Sequence, residues 1–520
     1  MASTGKNFAS AQSVPKRMDF DSALQHVGEF GRHQKRIYFL VSFISLPLCA
    51  QMLIVVFVGA IPEWKCPSPD GDILHCNSTS ARCCGEDGAI CRGAKFPSDF
   101  TSIATEWNLA CSQRYKCELS QSIFVAGYMF GVLIFGILSD KYGRRKPWLF
   151  AYIVGGVLAL ISATVRSYEE YIVLRFAMGL LNGGGGLITY VLSTESIGPS
   201  YRGTAGTWQQ AFSAVGYVFL AIEAYFIRNW RTLTVISIFP SFVVLLVFKS
   251  IPESPRWLAS QGKIKEAEQI LRKIEKENGF QENEVVFLKT DAKGNTESSQ
   301  YGMIDLFTHK PVCVVTVIMM LIWCVNSMVY YGLALNVKNL GGNLYINFSL
   351  ASLIELPSYF VTQFLLAKLG RRKGLFCLLL GASVACFLCM FLQLQGGQNV
   401  AVISIAALIG RFFISASFAV LYVYSAELFP TVVRNVGMGI SSLSARLGGM
   451  VAPFIVLLGD KSASFPMFVF ACTALFAAVT SLRLHETQGR PMPETFEELD
   501  ENYVRKQKTN GDHKGADSLL

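Results

Sequence analysis

Three ionisable residues stand deep inside long apolar runs: Glu355, Arg411 and Arg446. Charge at membrane depth is expensive and marks a binding or transport path by default. A glutamate offers a counter-charge to an ammonium, and an arginine offers a planar fork that matches a carboxylate. One of each suits a small zwitterion. The alternative is that Glu355 pairs with Arg446 or with Arg411 purely as structure, because a buried ion pair can break even energetically. Aromatic residues extend the set. Trp323, Asn326 and Tyr330 follow at i, i+3 and i+7 and share one helix face, as do Arg411, Ser415 and Tyr422. Ring faces hold quaternary ammonium groups and flat heteroaromatics by cation–π attraction; packing or lipid contact is the competing use. Glu223 sits near a span end beside Arg228 and reaches water, so it ranks lower.

The elements that must position these residues are membrane helices. The chain has 520 residues, 52% hydrophobic and only 16% charged, with a mean hydropathy of +0.38. Disorder, collagen, coiled coil and nucleic-acid binding are excluded by that composition. Twelve apolar runs are long enough to cross a bilayer: 37–60, 120–138, 148–165, 171–192, 204–227, 232–248, 311–333, 345–367, 375–394, 400–424, 436–458 and 465–484. Helices satisfy their own backbone in lipid, so the expected class is an all-α polytopic membrane protein. The first run follows a long polar stretch, is too long and lacks an A-x-A site, so it is no signal peptide.

The net charge of +9 is placed by topology. With both termini cytoplasmic, 32 of the 46 basic residues fall on the inner side, 11 fall outside, and three (Arg175, Arg411, Arg446) fall within spans. The expected organisation is a cytoplasmic segment 1–36, a six-helix half 37–248 containing an extracellular loop 61–119, and a cytoplasmic linker 249–310. A second six-helix half 311–484 and a cytoplasmic tail 485–520 follow. Residues 264–278 of the linker read as an amphipathic helix. The last three residues, Ser518-Leu519-Leu520, fit a PDZ-domain groove, with a plain mobile end as the alternative.

The loop 61–119 carries seven of the 14 cysteines: Cys66, Cys76, Cys83, Cys84, Cys91, Cys111 and Cys117. That density points to a disulfide-stapled segment on an oxidising face; seven is odd, so at least one is unpaired or pairs between chains. A zinc site is the rival, but no Cys-x-x-Cys pair recurs. Asn77 heads a glycosylation sequon in the same loop.

The chain repeats itself. Gly143-Arg144-Arg145 after span two matches Gly370-Arg371-Arg372 after span eight, 227 residues on. Glu195 with Arg202 after span four matches Glu427 with Arg434 after span ten, offset by 232. Glu253 after span six matches Glu486 after span twelve, offset by 233. Two six-helix halves related by duplication follow. Asp140, Gly143, Arg144, Arg145, Glu195, Arg202, Arg371, Glu427 and Arg434 are expected to form an inner-face latch whose pairs cross between the halves and break during opening. The alternative is that the Gly-Arg-Arg turns only set orientation.

Gly136, Asp140, Gly143, Arg144 and Arg145, with Pro252-Glu253-Ser254-Pro255-Arg256-Trp257 and twelve spans, resemble the major facilitator superfamily. His26 through Gly31, the cysteine-rich loop, and Ala426-Glu427 through Gly437 narrow the resemblance to the organic cation, anion and zwitterion transporters. Val329-Tyr330-Tyr331-Gly332-Leu333 and Ile354-Glu355-Leu356-Pro357-Ser358-Tyr359 look closest to the carnitine/ergothioneine-type members. The resemblance implies two halves rocking about a midplane site. It also implies that Arg446 stands where cation-preferring members carry Asp, and that spans seven and ten line the cavity. Two departures matter: His485 replaces the usual Pro, and the Gly-Lys-Ser-like stretch of classical carnitine transporters is absent after span four.

The expected protein is a plasma-membrane secondary transporter of small organic zwitterions or cations, carnitine-, betaine- or ergothioneine-like. Its substrate site comprises Glu355, Arg446, Tyr330, Tyr331, Trp323, Asn326, Arg411 and Tyr422. No enzyme chemistry, cofactor, metal or nucleic-acid partner is expected; coupling to sodium or protons is left open. Gly183 to Gly186 serve close packing rather than phosphate binding, since no Lys-Ser/Thr follows. The rivals are an organic anion exchanger of the same family, a sugar porter, and a non-transporting receptor or scaffold.

Overall fold

The computed structural model describes residues 20–67, 100–279, 303–395, 399–460 and 462–489, with 17–18, 73–76, 84, 90–91, 93–96, 287–288 and 493 between and after them. The described residues are mostly helical. Nine helical segments among the described residues are long and apolar enough to cross a membrane. They are Arg32–Val58 (span one), Cys111–Tyr142 (two), Tyr168–Glu195 (four), Trp230–Ser250 (six), Lys310–Asn339 (seven), Leu344–Leu369 (eight), Arg371–Leu394 (nine), Val400–Leu428 (ten) and Arg434–Leu457 (eleven). Helices Arg145–Ser162, Pro199–Phe226 and Phe465–Ser481 stand at the remaining runs, as spans three, five and twelve.

Prolines set where these helices start and bend. Pro199, Pro311 and Pro466 lie in the first turn of spans five, seven and twelve, where a missing N–H costs nothing. Inside a span the same residue interrupts the ladder, because its ring clashes with the carbonyl four residues earlier. Span one breaks into Arg32–Ile44, Leu46–Leu53 and Val55–Val58, with Pro47 opening the second piece. Span eight breaks at Ile354, four residues after Leu350 and three before Pro357, into Leu344–Leu353 and Glu355–Leu369. The break places Glu355 at the first position of a new helix.

Glycine lets spans two and four touch backbone to backbone. A Cβ on Gly127 would lie 2.1 Å from the Phe176 carbonyl oxygen, and one on Gly179 2.1 Å from that of Phe124. The glycine run extends this contact: a Cβ on Gly183 would lie 2.3 Å from the Tyr128 oxygen, and one on Gly184 2.2 Å from the Phe135 ring. Close approach of small residues is how helices pack where no hydrophobic effect drives them together.

Two faces are distinguished by what they carry. The linker face holds helices Phe20–His26, Pro255–Ser260 and Ile264–Asn278. Ala23, Leu24, Val27, Trp257, Leu258, Ala267, Leu271 and Ile274 form one apolar cluster there. Asp21 receives both Arg202 (2.5 Å) and Arg256 (3.0 Å), tying the first helix to the start of span five and to the linker. The disulfide face holds strands Trp64–Pro67 and Ile73–Cys76, which pair antiparallel. Disulfides join Cys66 to Cys91 and Cys84 to Cys111, and Cys76 is also disulfide-bonded. Cys117, inside the span-two helix, is free and buried. Cys83, Asn77 and the C-terminal Ser-Leu-Leu lie outside the described residues.

The halves meet through spans two and eleven and spans five and eight. Ser122 Oγ donates to the Met450 carbonyl at 2.7 Å. At the disulfide face Phe57 stacks on Tyr345 (5.6 Å, 6°) and meets Phe348 edge-on (5.0 Å), while Tyr217 and Tyr225 contact Phe348 and Tyr345. Trp208 of span five also meets Phe360 of span eight.

Candidate substrate site

Glu355 and Arg411 form a buried ion pair, Nη2 to Oε1, with the two side chains 1% and 3% exposed. The Tyr330 hydroxyl donates to the same carboxylate at 3.1 and 3.2 Å, and the Tyr359 hydroxyl donates at 3.2 Å. Arg411 is fixed from two further sides. Its Nη1 donates to the Tyr330 carbonyl, and its guanidinium carbon lies 3.6 Å from the Tyr330 ring centroid. The helix break at Ile354 and the position of Arg411 on span ten bring these groups to one level. Every lone-pair direction of Glu355 used here points at the protein, so the expected free counter-charge for an ammonium is not presented in this state. Of the two pairings open from sequence, the carboxylate takes Arg411 and leaves Arg446 apart. The reason is geometric: span ten packs directly on the second half of span eight.

Arg446 has a different setting. Its guanidinium lies 4.5 Å from the Tyr128 ring centroid, and its electrostatic neighbours are the phenols of Tyr128, Tyr331 and Tyr422. No carboxylate is within ion-pair reach of it among the described residues. Arg446 is part-exposed, as are Tyr128 and Phe418, and Tyr422 is 38% exposed. Glu355, Arg411, Trp323 and Asn326 are sealed.

The sequence-derived aromatic face assembles between spans seven and ten. Trp323 meets Tyr422 edge-on at 4.7 Å and Phe418 at 5.9 Å; Tyr330 meets Phe418 at 5.4 Å, and Phe418 and Tyr422 lie nearly parallel at 6.5 Å. Trp323 Nε1 donates to Ser425 Oγ at 2.9 Å, which orients the indole. Asn326 Oδ1 accepts from Ser417, while Asn326 Nδ2 and Ser415 Oγ have no partner among the described residues. Tyr331 is buried against Gly449, where a Cβ would come within 3.1 Å of its ring. A small cleft is lined by Leu333, Val337, Asn347 and Arg411.

Tyr128 and Phe418 carry no signal in the sequence, and Tyr359 stands out there only as the end of the Ile354–Tyr359 string. Tyr359 sits four residues after Glu355, a helical spacing that signals a contact. Tyr128 had no such signal, because it reaches Arg446 from the other half. Arg175, followed by Phe176 in span four as Arg411 is followed by Phe412 in span ten, is 1% exposed. It donates to Gln121 Oε1 at 3.2 Å and lies 4.2 Å from the Phe124 ring centroid.

The repeat motifs at the linker face form two matching constellations. In the first, Arg144 binds Glu195 through Nη2 (3.0 Å) and Nε (3.2 Å) and binds Asp140 at 2.6 Å. Burial works against the Arg144 charge, and Glu195 and Asp140 outweigh it, holding the guanidinium protonated. In the second, Arg371 binds Glu427 through Nη2 (2.9 Å) and Nε (3.0 Å). Each arginine opens a helix whose first N–H groups need an acceptor. Glu253 accepts from the backbone of Arg144 (2.8 Å) and Arg145 (3.2 Å). Glu486 accepts from Arg371 (2.8 Å) and Arg372 (3.1 Å) in the same way. Gly143 and Gly370 make the turns with φ of +91° and +79°. Arg145 donates to the Phe248 carbonyl at 2.7 Å, and Arg434 donates to the Phe429 carbonyl (3.3 Å) and Thr431 (3.0 Å).

These contacts correct the expected latch. The described ion pairs of Arg144, Arg202, Arg371 and their acids stay within one half or its adjoining terminal segments, and none crosses to the other. Each Gly-Arg turn aims its guanidinium at the end of the neighbouring span of the same half, which is nearer than the opposite half. Glu253 and Glu486, noted from sequence only as markers of duplication, are the acids that close each constellation.

Comparison with known proteins gives a consistent picture. Residues 93–503 match the family model described as Sugar (and other) transporter. The chain is 37% identical over 484 residues to "Solute carrier family 22 member 15-like" of Xenopus laevis, covering 93% of this chain and 96% of that protein. It is 34% identical over 528 residues to "Organic cation transporter protein" of Drosophila melanogaster, covering 94% and 96%. It is 31% identical over 526 residues to "Organic cation/carnitine transporter 2" of Homo sapiens, covering 92% and 94%. Among solved structures, the partially occluded inward-open xylose transporter XylE from E. coli superposes with a TM-score of 0.63 at 17% identity, covering 88% of this chain and 99% of that one.

Proposed function

The chain belongs to the sugar-and-other transporters of the major facilitator superfamily and, within them, to the solute carrier family 22 organic ion transporters; from that membership we propose that it carries small carboxylate-bearing zwitterions of the betaine or carnitine type. It is a multi-pass membrane transporter and not an enzyme. Relatives named as organic cation and carnitine transporters support the substrate class.

One observation carries the finer reading. Arg446 is a part-exposed residue with no acidic partner among the described residues and lies beside an aromatic cluster, while Glu355 is already paired with Arg411. A substrate carboxylate would complete Arg446, and its quaternary ammonium would rest against Tyr422 and Phe418 by cation–π attraction. Glu355 contributes by holding Tyr330 and Arg411 in place. The halves would present this site to each side in turn. In this reading the disulfide face is extracellular, Asn77 carries a glycan, both termini are cytoplasmic and the protein resides in the plasma membrane.

The organic anion reading gains from the same geometry, since Arg446 has no acidic partner among the described residues while Glu355 is paired with Arg411. Uptake of carnitine, glycine betaine, choline and butyrate into expressing cells, with and without sodium and a pH gradient, separates the two. Carnitine or betaine uptake that choline and butyrate inhibit only weakly supports the zwitterion reading. Uptake of butyrate with no betaine uptake supports the anion reading and overturns the first.

A further inference from the structure

Lys338 and Glu118 form an ion pair, Nζ to Oε1, and among the described residues it is the only ion pair that joins one half to the other. Glu118 lies in the first turn of the helix Tyr115–Tyr142, and Lys338 lies in the turn Val337–Asn339 that ends span seven. Both are at the disulfide face. Glu118 is 2% exposed. Alongside the pair run the ring contacts of Phe57 with Tyr345 and Phe348, and of Tyr217 with Phe348. One turn further in, Ser122 bonds to Met450 across the same interface. The ion pairs of Arg144, Arg202, Arg256 and Arg371 at the linker face make no such crossing.

We propose that the Lys338–Glu118 pair is the gate that keeps the disulfide face shut in this state, working with the ring layer beside it. This goes beyond the substrate reading and does not depend on it, because it concerns only which face is closed. Opening the disulfide face must part spans two and seven, so the pair must separate into water. Removing Lys338 alone leaves Glu118 buried without compensation in the closed state and solvated in the open one. A group that disfavours one state shifts the population toward the other. Removing both charges takes away the penalty, because an uncharged pair of similar volume costs the closed state little.

The test uses purified full-length protein in detergent, so membrane orientation does not enter. Ser122→Cys supplies a thiol beneath the gate, since Ser122 is 6% exposed in the closed state. A maleimide is added, and modification at position 122 is followed by peptide mass spectrometry, which separates it from the native cysteines. Lys338→Ala in this background is expected to speed modification about fivefold or more, the range of a one to two kcal/mol shift. The double variant Lys338→Met/Glu118→Gln is expected to return the rate toward that of Ser122→Cys alone. An unchanged or slower rate in Lys338→Ala overturns the gate. A double variant as fast as the single one also overturns it, because lost packing rather than unpaired charge would then explain the single variant. Gel filtration of each variant confirms that only folded protein is compared.

Discussion

Arg411 and Glu355 close on one another inside the C-terminal half, and that closure is what leaves Arg446 as the available charge. Two tyrosine hydroxyls complete the Glu355 carboxylate and make the pair a fixed wall of the site. A rearrangement that frees Glu355 for a ligand would have to strand Arg411, whose side chain is 3% exposed.

Breaking the pair from one side should therefore act on stability first. Glu355→Gln leaves an uncompensated buried guanidinium, a loss of about 3–5 kcal/mol for a buried pair. The variant is expected to unfold several degrees earlier than the parent in a detergent thermal-shift assay. Glu355→Gln/Arg411→Gln should recover much of that loss, and an unshifted midpoint in the single variant would contradict the assignment.

Arg446 should select for the carboxylate. A hydrogen bond to a charged group contributes about 1.5–3 kcal/mol, so Arg446→Gln is expected to weaken carnitine or betaine binding by roughly ten- to a hundredfold. Choline, which lacks the carboxylate, should be affected far less. Competition by both compounds against a common tracer measures the difference, and equal losses would remove Arg446 from the site.

The aromatic cluster should read the ammonium. Tyr422→Leu keeps an apolar side chain but removes a ring face worth about 0.5–2 kcal/mol to a cation. KM for a quaternary ammonium zwitterion is expected to rise several-fold, with a smaller rise for the aliphatic carboxylate butyrate. Measured KM values for the two solutes check this.

Gly143 and Gly370 should resist any side chain. Their φ values of +91° and +79° are disfavoured for L-residues, and a Cβ would meet Glu253 at 2.5 Å or Glu486 at 2.7 Å. Gly143→Ala and Gly370→Ala are each expected to cost about 1–3 kcal/mol and to lower surface expression. Surface biotinylation against Gly203→Ala, where a Cβ meets nothing within 4 Å, gives the comparison.

The linker should loosen in acid. Glu277 meets His33 at 2.9 Å and Arg36 at 2.9 Å. Burial raises its pKa, but His33 and Arg36 outweigh that and hold it below the ordinary glutamate value. A depressed carboxylate adds stability that is present above its unfolded pKa and is lost as pH falls through the folded one. Hydrogen exchange in the helix Ile264–Asn278 is expected to accelerate as pH drops below about 4.5, beyond the intrinsic rate change. Glu277→Gln should show the faster exchange already at neutral pH.

The sequence by itself determined the membrane-helix class and displayed the repeated motifs and the candidate site residues. These are local properties: run length, spacing of i, i+3 and i+7, and strings such as Gly143-Arg144 repeated at Gly370-Arg371. Charge scarcity made Glu355, Arg411 and Arg446 visible, because each is costly at its depth. Partnership was a different matter. Whether Glu355 faces Arg411 or Arg446 depends on which helix packs on the second segment of span eight, and no spacing along one helix contains that distance. The same holds for Tyr128, which reaches Arg446 from the other half. It also holds for the ion pairs at the linker face, which close within each half while Lys338 and Glu118 join the two at the disulfide face. Charges and helices are written along the chain, but an ion pair depends on separations of a few ångströms between segments hundreds of residues apart, and only tertiary packing sets those.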